Sequence, residues 1–265
     1  ALACLFFAVA MQIAANLIND YYDYLKGADG EDRLGPLRAT SQGWITPNYM
    51  KIGIIVVIAL GCCCGSVLIY FAGIEMIAVG LFCVVFAYIY TSGPFPLAYN
   101  GLGDVAVILF FGLVAVGFTA YVQMLRWTPL LIWGGLATGM VVNTLLVLNN
   151  YRDREGDAKV GKKTLIVLCG ETFGRYFYLA LGVVAVLILH LLFHEALPEK
   201  SDFTLIHWCC LFVMPIIYLL LHYFTWRKIS LIRQGRVLNT LIGETSRNML
   251  IFSLTFAIGF AIIGY

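Results

Sequence analysis

Long apolar runs alternate with short polar stretches from one end of the chain to the other. A helix needs about 20 mostly apolar residues to cross a bilayer. Eight runs come close to that length: 1–18, 52–71, 76–90, 102–122, 130–148, 177–192, 206–224 and 249–263. The third and eighth are short and are expected to borrow flanking residues. The pattern predicts an all-α integral membrane protein, one transmembrane domain over 1–265. The chain opens at Ala1 inside an apolar run, with neither Met nor a basic flank, so a further segment is expected before it. That run leads straight into Asn16, Asn19 and Asp20 without a small-residue cleavage pattern, which argues against a signal peptide.

Composition agrees with the pattern. Apolar residues are 61% of the 265 and charged residues 12%, against roughly 45–50% and about 25% in soluble domains. A soluble fold, a disordered chain and a disulfide-rich secreted scaffold are excluded, and no nucleic-acid partner is implied. The loops fall into two sets on opposite sides of the bilayer. One set (26–51, 91–101, 151–175, 225–248) carries every basic residue except Arg126 and Lys200. Such asymmetry predicts that this side is cytoplasmic, in the plasma (bacterial inner) membrane.

Cysteines and histidines offer little chemistry. The cysteines lie mostly in the apolar runs without metal or redox spacing, and read as packing residues. None of the four histidines falls in the basic loops. Gly61/Gly65 and Gly135/Gly139 are spaced to let helices approach closely. The stretch Gly156 to Lys163 nearly matches a phosphate-binding loop, but Lys163 breaks the final position and no strand precedes it.

The acidic residues are more informative. Carboxylates at the ends of apolar helices are costly and usually functional. Two clusters occur on the cytoplasmic side: Asn16, Asn19, Asp20, Asp23 and Asp29 in one, Asn149, Asn150, Asp153 and Asp157 in the other. On a helix, spacings of three and four put Asn16, Asn19, Asp20 and Asp23 on one face, and likewise Asp153 with Asp157. Oxygen-only ligands without His or Cys point to a hard cation, Mg²⁺ or Ca²⁺. Mg²⁺ in particular uses one or two carboxylates and completes its shell with water and phosphates. Lys26, Arg33, Arg38, Lys162 and Lys163 would suit a diphosphate.

These residues resemble the UbiA superfamily of intramembrane prenyltransferases. The resemblance rests on Asn19-Asp20-Tyr-Tyr-Asp23, Lys26-Gly27-Ala-Asp29, Asp153-Arg-Glu-Gly-Asp157 and Gly161-Lys162-Lys163-Thr164. The segments Asp32 to Arg38, Tyr90 to Pro94 and Gly101 to Asp104 are similar to the branch that prenylates 1,4-dihydroxy-2-naphthoate. The resemblance covers nearly the whole chain and implies nine transmembrane helices in a full-length member, of which eight are visible here. Two departures are plain: Gly27 stands where a further Asp is common, and no Lys or Arg occurs between Lys51 and Arg126.

The resemblance implies transfer of a polyprenyl group from its diphosphate to the naphthoate, with loss of diphosphate and CO₂, toward menaquinone. It assigns Mg²⁺ to Asp20, Asp23, Asp153 and Asp157, and catalysis to Asn19, Asp23, Asp153 and Asp157. The diphosphate falls to Lys26, Arg33, Arg38 and Lys162, and an acceptor or prenyl pocket to Asn16, Asp29, Tyr90 and Asn149. Tyr21, Tyr22, Tyr24, Tyr88 and Tyr90 supply ring faces for an allylic cation. Tyr88 and Tyr90 cannot both face inward on a straight helix, and Tyr90, followed by Thr91 and the Gly-Pro break, is the favoured one. The partners implied are polyprenyl diphosphate, 1,4-dihydroxy-2-naphthoate and the lipid bilayer. Other readings are transfer to another acceptor such as 4-hydroxybenzoate, an ion-coupled transporter, or a CDP-alcohol phosphotransferase. A transporter would place its acids mid-membrane within an inverted repeat. The phosphotransferase would place its aspartates in one contiguous stretch.

Overall fold

A computed structural model describes residues 1–27, 33–196 and 204–263. Helix accounts for 82% of the structure, and no strand occurs among the described residues. Among the described residues eight helical segments follow the eight apolar runs: α1 (Leu2–Leu25), α2 (Pro47–Ala72), α3 (Glu75–Ile89), α4 (Gly103–Met124), α5 (Pro129–Lys159), α6 (Leu165–Ala196, broken at Gly170, where φ is 89°), α7 (205–232) and α8 (Leu238–Ile263). Six of them are long and apolar enough to span a bilayer. α3 has 15 residues, about 22 Å at 1.5 Å per residue. α7 is interrupted by a π-wound stretch at Cys209–Val213. The chain is a multi-pass membrane protein.

Several helices run past the apolar runs that mark them. α1 extends beyond residue 18 to Leu25, and α5 beyond residue 148 to Lys159. Both aspartate clusters therefore ride on helix ends rather than in loops. α8 begins at Leu238, well before residue 249, so the eighth helix is long rather than short. Its polar first turns are absorbed by buried hydrogen bonds. Tyr178 Oη pairs with Thr245 Oγ1 at 2.9 Å, and Asn248 donates to Thr225 Oγ1 at 3.0 Å.

The chain divides into two compact units. The first comprises residues 1–106, 118–127 and 153–168. In it α1 packs on α2 and α3. Gly61 lets α2 approach Met11 and Ala10, and Gly65 lets it approach Phe7. α2 keeps only 6% of its apolar window buried, an apolar surface suited to contact with lipid.

The second unit comprises residues 107–117, 128–152 and 169–265. Its core gathers Ala137 and Val141 from α5, Ala185, Leu189 and Phe193 from α6, Tyr218 from α7 and Phe252 from α8. α4 is π-wound over Ile108–Phe118. There Gly112 meets Gly135 and Gly139 of α5 almost backbone to backbone, and a Cβ on Gly139 would collide with the Ile108 carbonyl. Without water between helices, close packing of this kind is a principal source of helix association. His222 is buried against Gly182, with its ring stacked 4.6 Å from Tyr178 and Nε2 3.0 Å from the Tyr178 carbonyl oxygen.

Gly139→Leu should therefore overpack the crossing and cost about 1–3 kcal/mol. Gly80→Ala, where nothing lies within 4 Å, should be neutral. The check is the thermal unfolding midpoint of purified protein in detergent. Equal midpoints for the two variants would contradict the crossing.

Candidate active site

α1, with Asp20 and Asp23, and α5, with Asp153 and Asp157, each stop at a left-handed glycine beside a lysine. α1 stops where Gly27 takes φ 65°, its N–H bonding the Tyr24 carbonyl at 3.0 Å. α5 stops where Gly161 takes φ 73°, after which the Lys162 N–H returns to the Asp157 carbonyl at 2.8 Å. Glycine suits both positions because it alone adopts that backbone without strain. The Gly27 departure thus has a local cause: a helix stop. The second turn also folds its lysine back toward the carboxylate of α5. Lys162 Nζ lies 3.3 Å from Asp157 Oδ1.

Asp23 and Asp157 are buried, and both belong to the first unit. They are joined there by the loop between α3 and α4. That loop is shaped by Gly93 (φ 85°), Gly101 (φ 75°) and a single 3₁₀ turn over Leu97–Tyr99. Its backbone is tied internally, Ala98 N–H to Tyr90 C=O at 2.9 Å and Leu102 N–H to Leu97 C=O at 3.1 Å. From this turn Tyr99 Oη donates to Asp23 Oδ1 at 2.8 Å. The Tyr99 carbonyl accepts from the Lys163 N–H at 3.1 Å. Lys26 Nζ sits 3.9 Å and Lys162 Nζ 5.8 Å from the centre of its ring. Burial, then the charge of Asp23, holds the Tyr99 phenol well above its usual range, so it remains a donor. Burial lowers the Lys26 ammonium from its ordinary value; Asp23 opposes this and Lys162 adds to it. Lys26 also donates to the Thr91 carbonyl.

Tyr99 was not among the residues singled out from the sequence. The available signal was indirect: a tyrosine in a proline- and glycine-bounded loop devoid of basic residues, between two carboxylate clusters.

The other expected site residues are distributed unevenly. Asp20 is buried, but its oxygens accept from the N–H groups of Ala39 at 3.0 Å and Thr40 at 3.3 Å. It anchors the returning segment that carries Arg38. Asn16 is exposed, whereas Asn19 is half-buried. Arg33 Nε donates to the Pro36 carbonyl at 2.9 Å. Tyr88 is 44% exposed and accepts from Tyr22. The half-buried Tyr90 is instead within electrostatic range of Asp104, Asp23 and Asp157. Asp153 is half-buried, one turn before Asp157. Asn149 is half-buried and belongs to the second unit. Asp29 lies outside the described residues.

Among the described residues of the first unit, five buried polar atoms lack a hydrogen-bond partner: Asn19 Oδ1, Arg38 Nε, Thr40 Oγ1, Thr91 Oγ1 and Asp157 Oδ2. Buried polar groups are nearly always satisfied. Two lone carboxylate or amide oxygens and a lone guanidinium N–H suit a hard cation and an anion respectively. No three Asp, Glu, His or Cys side chains converge on one point among the described residues. The donor set therefore fits Mg²⁺ held by few protein oxygens and completed by water and phosphate, rather than an all-protein cage.

Comparison with known proteins decides the family. The sequence pattern of the UbiA prenyltransferase family matches residues 1–237. The chain belongs to the UbiA prenyltransferase family. Among its UbiA relatives is a 1,4-dihydroxy-2-naphthoate octaprenyltransferase of Haemophilus influenzae, 38% identical over 190 residues, covering 69% of this chain and 62% of that protein. Another, from Mycobacterium tuberculosis and of the same description, is 41% identical over 189 residues, covering 70% and 63%. The chain thus spans less than two thirds of the length of these relatives. A solved UbiA homolog from Archaeoglobus fulgidus, bound to GPP and Mg²⁺, shares the fold with a TM-score of 0.68 at 18% identity, covering 100% of this chain and 87% of that one.

Because Asp20 satisfies two backbone N–H groups, Asp20→Ala should leave buried donors unpaired, at about 1–3 kcal/mol each. The segment 33–45 should then be cut faster by protease, with or without Mg²⁺, while Asp20→Asn shows a smaller effect. Unchanged cleavage in Asp20→Ala would mean that Asp20 does not anchor this segment.

Proposed function

We propose that this UbiA-family chain transfers a polyprenyl group from polyprenyl diphosphate to 1,4-dihydroxy-2-naphthoate, releasing diphosphate and CO₂. The observation that carries the reading is the gathering of Asp23, Asp157, Lys26 and Lys162 around the Tyr99 loop of one unit, with Asn19 and Asp157 oxygens unpartnered. Two findings support it: relatives described as naphthoate octaprenyltransferases, and a fold shared with a homolog that binds GPP and Mg²⁺.

In this reading Asn19, Asp23, Asp153 and Asp157 hold Mg²⁺, which when bound offsets the charge that builds on departing diphosphate. Asp20 contributes indirectly, by fixing the 38–40 segment. Lys26, Lys162 and Arg38 bind the diphosphate oxygens. The turn at Gly161 holds Lys162 beside Asp157, and Lys26, the last residue before Gly27, lies over the Tyr99 ring. Tyr90 offers a ring face to the allylic cation, and the apolar helices exclude the water that would quench it. The prenyl tail extends into the bilayer. The naphthoate attacks through the carbon bearing its carboxylate, and loss of CO₂ restores aromaticity without a base at that carbon. The site opens to the cytoplasm of a bacterial inner membrane, a placement supported by the basic loops.

Two experiments test this. Asp23→Asn and Asp153→Asn should each lose most turnover while folding normally, and activity should vanish in EDTA and return with Mg²⁺. Full activity in chelator, or near-normal turnover in either variant, would refute the metal assignment. Supplied with one polyprenyl diphosphate and either acceptor, the protein should prenylate the naphthoate faster than 4-hydroxybenzoate and release its labelled carboxyl carbon. Retention of that label, or faster reaction of 4-hydroxybenzoate, would overturn the acceptor.

A further inference from the structure

The loop between α3 and α4 carries no basic residue, yet it lies against both acidic helix ends. Tyr99 makes both connections. Its backbone is tied to the turn after α5 through the Lys163 N–H, 3.1 Å from its carbonyl oxygen. Its hydroxyl reaches α1, 2.8 Å from Asp23 Oδ1. The side chain between those two points is a flat ring with two rotatable bonds, and the Lys26 and Lys162 ammonium groups lie within 6 Å of its centre.

We propose that Tyr99 is a positioning residue that couples the two aspartate helices. Its hydroxyl holds one oxygen of Asp23, which fixes the carboxylate plane and leaves the other oxygen for the cation. Its ring sets the spacing of the two lysines for the diphosphate. A neutral donor does this better than a lysine or arginine at the same place, because it orients the carboxylate without neutralising it. The inference rests on the proposed prenyl transfer with Mg²⁺. Hydrogen-bonding partners of metal ligands typically contribute about 10–100-fold to metal affinity or activity.

The test uses the full chain in detergent, with inorganic diphosphate present and no prenyl substrate. The thermal unfolding midpoint is followed against Mg²⁺ concentration. Tyr99→Phe removes the hydroxyl and keeps the ring. It should raise the Mg²⁺ concentration giving half the stabilisation by about tenfold and leave the diphosphate requirement unchanged. Tyr99→Leu should raise both. The Mg²⁺ dependence of turnover should shift in parallel in Tyr99→Phe, with the acceptor KM unaltered. Tyr178→Phe is the structural control, since it removes a different buried hydrogen bond, 2.9 Å to Thr245. It should lower the midpoint without Mg²⁺ and leave the Mg²⁺ response as it was. A half-saturating Mg²⁺ concentration in Tyr99→Phe within twofold of the parent's, or an equal shift in Tyr178→Phe, would overturn the role of Tyr99. Absence of any Mg²⁺-linked stabilisation in the parent chain would instead remove the metal reading, and this inference with it.

Discussion

A carboxylate in the last turn of an apolar helix is in an unfavourable place. The C-terminal end of a helix already carries partial negative charge, and a bilayer-embedded bundle offers little water to solvate more. Asp23 stands two residues from the end of α1, and Asp157 two from the end of α5. Both are buried. Two such carboxylates persist only where cations and donors meet them, and most of the local structure serves that requirement. The left-handed Gly161 turns the chain so that Lys162 comes back to Asp157, while Lys26 caps α1 and lies over the Tyr99 ring. The 3₁₀ turn delivers a hydroxyl to Asp23. Two acceptors on these helices, Asn19 Oδ1 and Asp157 Oδ2, are left unpartnered, and the proposed Mg²⁺ would meet them.

The same constraint separates scaffold from chemistry. In the second unit, glycine contacts and aromatic stacking hold helices together, and several polar groups of α6, α7 and α8 pair with one another, although Trp226 Nε1 finds no partner. In the first, two of the unsatisfied atoms, Asn19 Oδ1 and Asp157 Oδ2, are acceptors on the helices that carry the aspartates. Asp20 shows that residue type alone does not settle the role: beside Asn19 in the same acidic cluster, its oxygens hold the backbone of a loop.

Much of this was legible in the sequence. Hydropathy located eight helices, and the two acidic clusters announced oxygen chemistry on one side. Hydropathy ends α5 too early and starts α8 too late, because Asn, Asp and Arg at 149–157 and Asn, Thr and Glu at 239–244 lower the local hydropathy while remaining helical. Asp20 and Tyr99 could not be read, since their partners lie 19 to 76 residues away and depend on how loops return. The fold class needed only periodicity and composition; the site needed the path of two loops.

In the proposed site both aspartate helices serve one cation. The most direct measurement is anomalous scattering from crystals of the protein containing Mn²⁺ in place of Mg²⁺ and an unreactive prenyl diphosphate analogue. A manganese peak bonded to side-chain oxygens from both the Asn19–Asp23 and the Asp153–Asp157 segments and to the diphosphate is the expected result. A peak bonded to only one of those segments, or to neither, would contradict it.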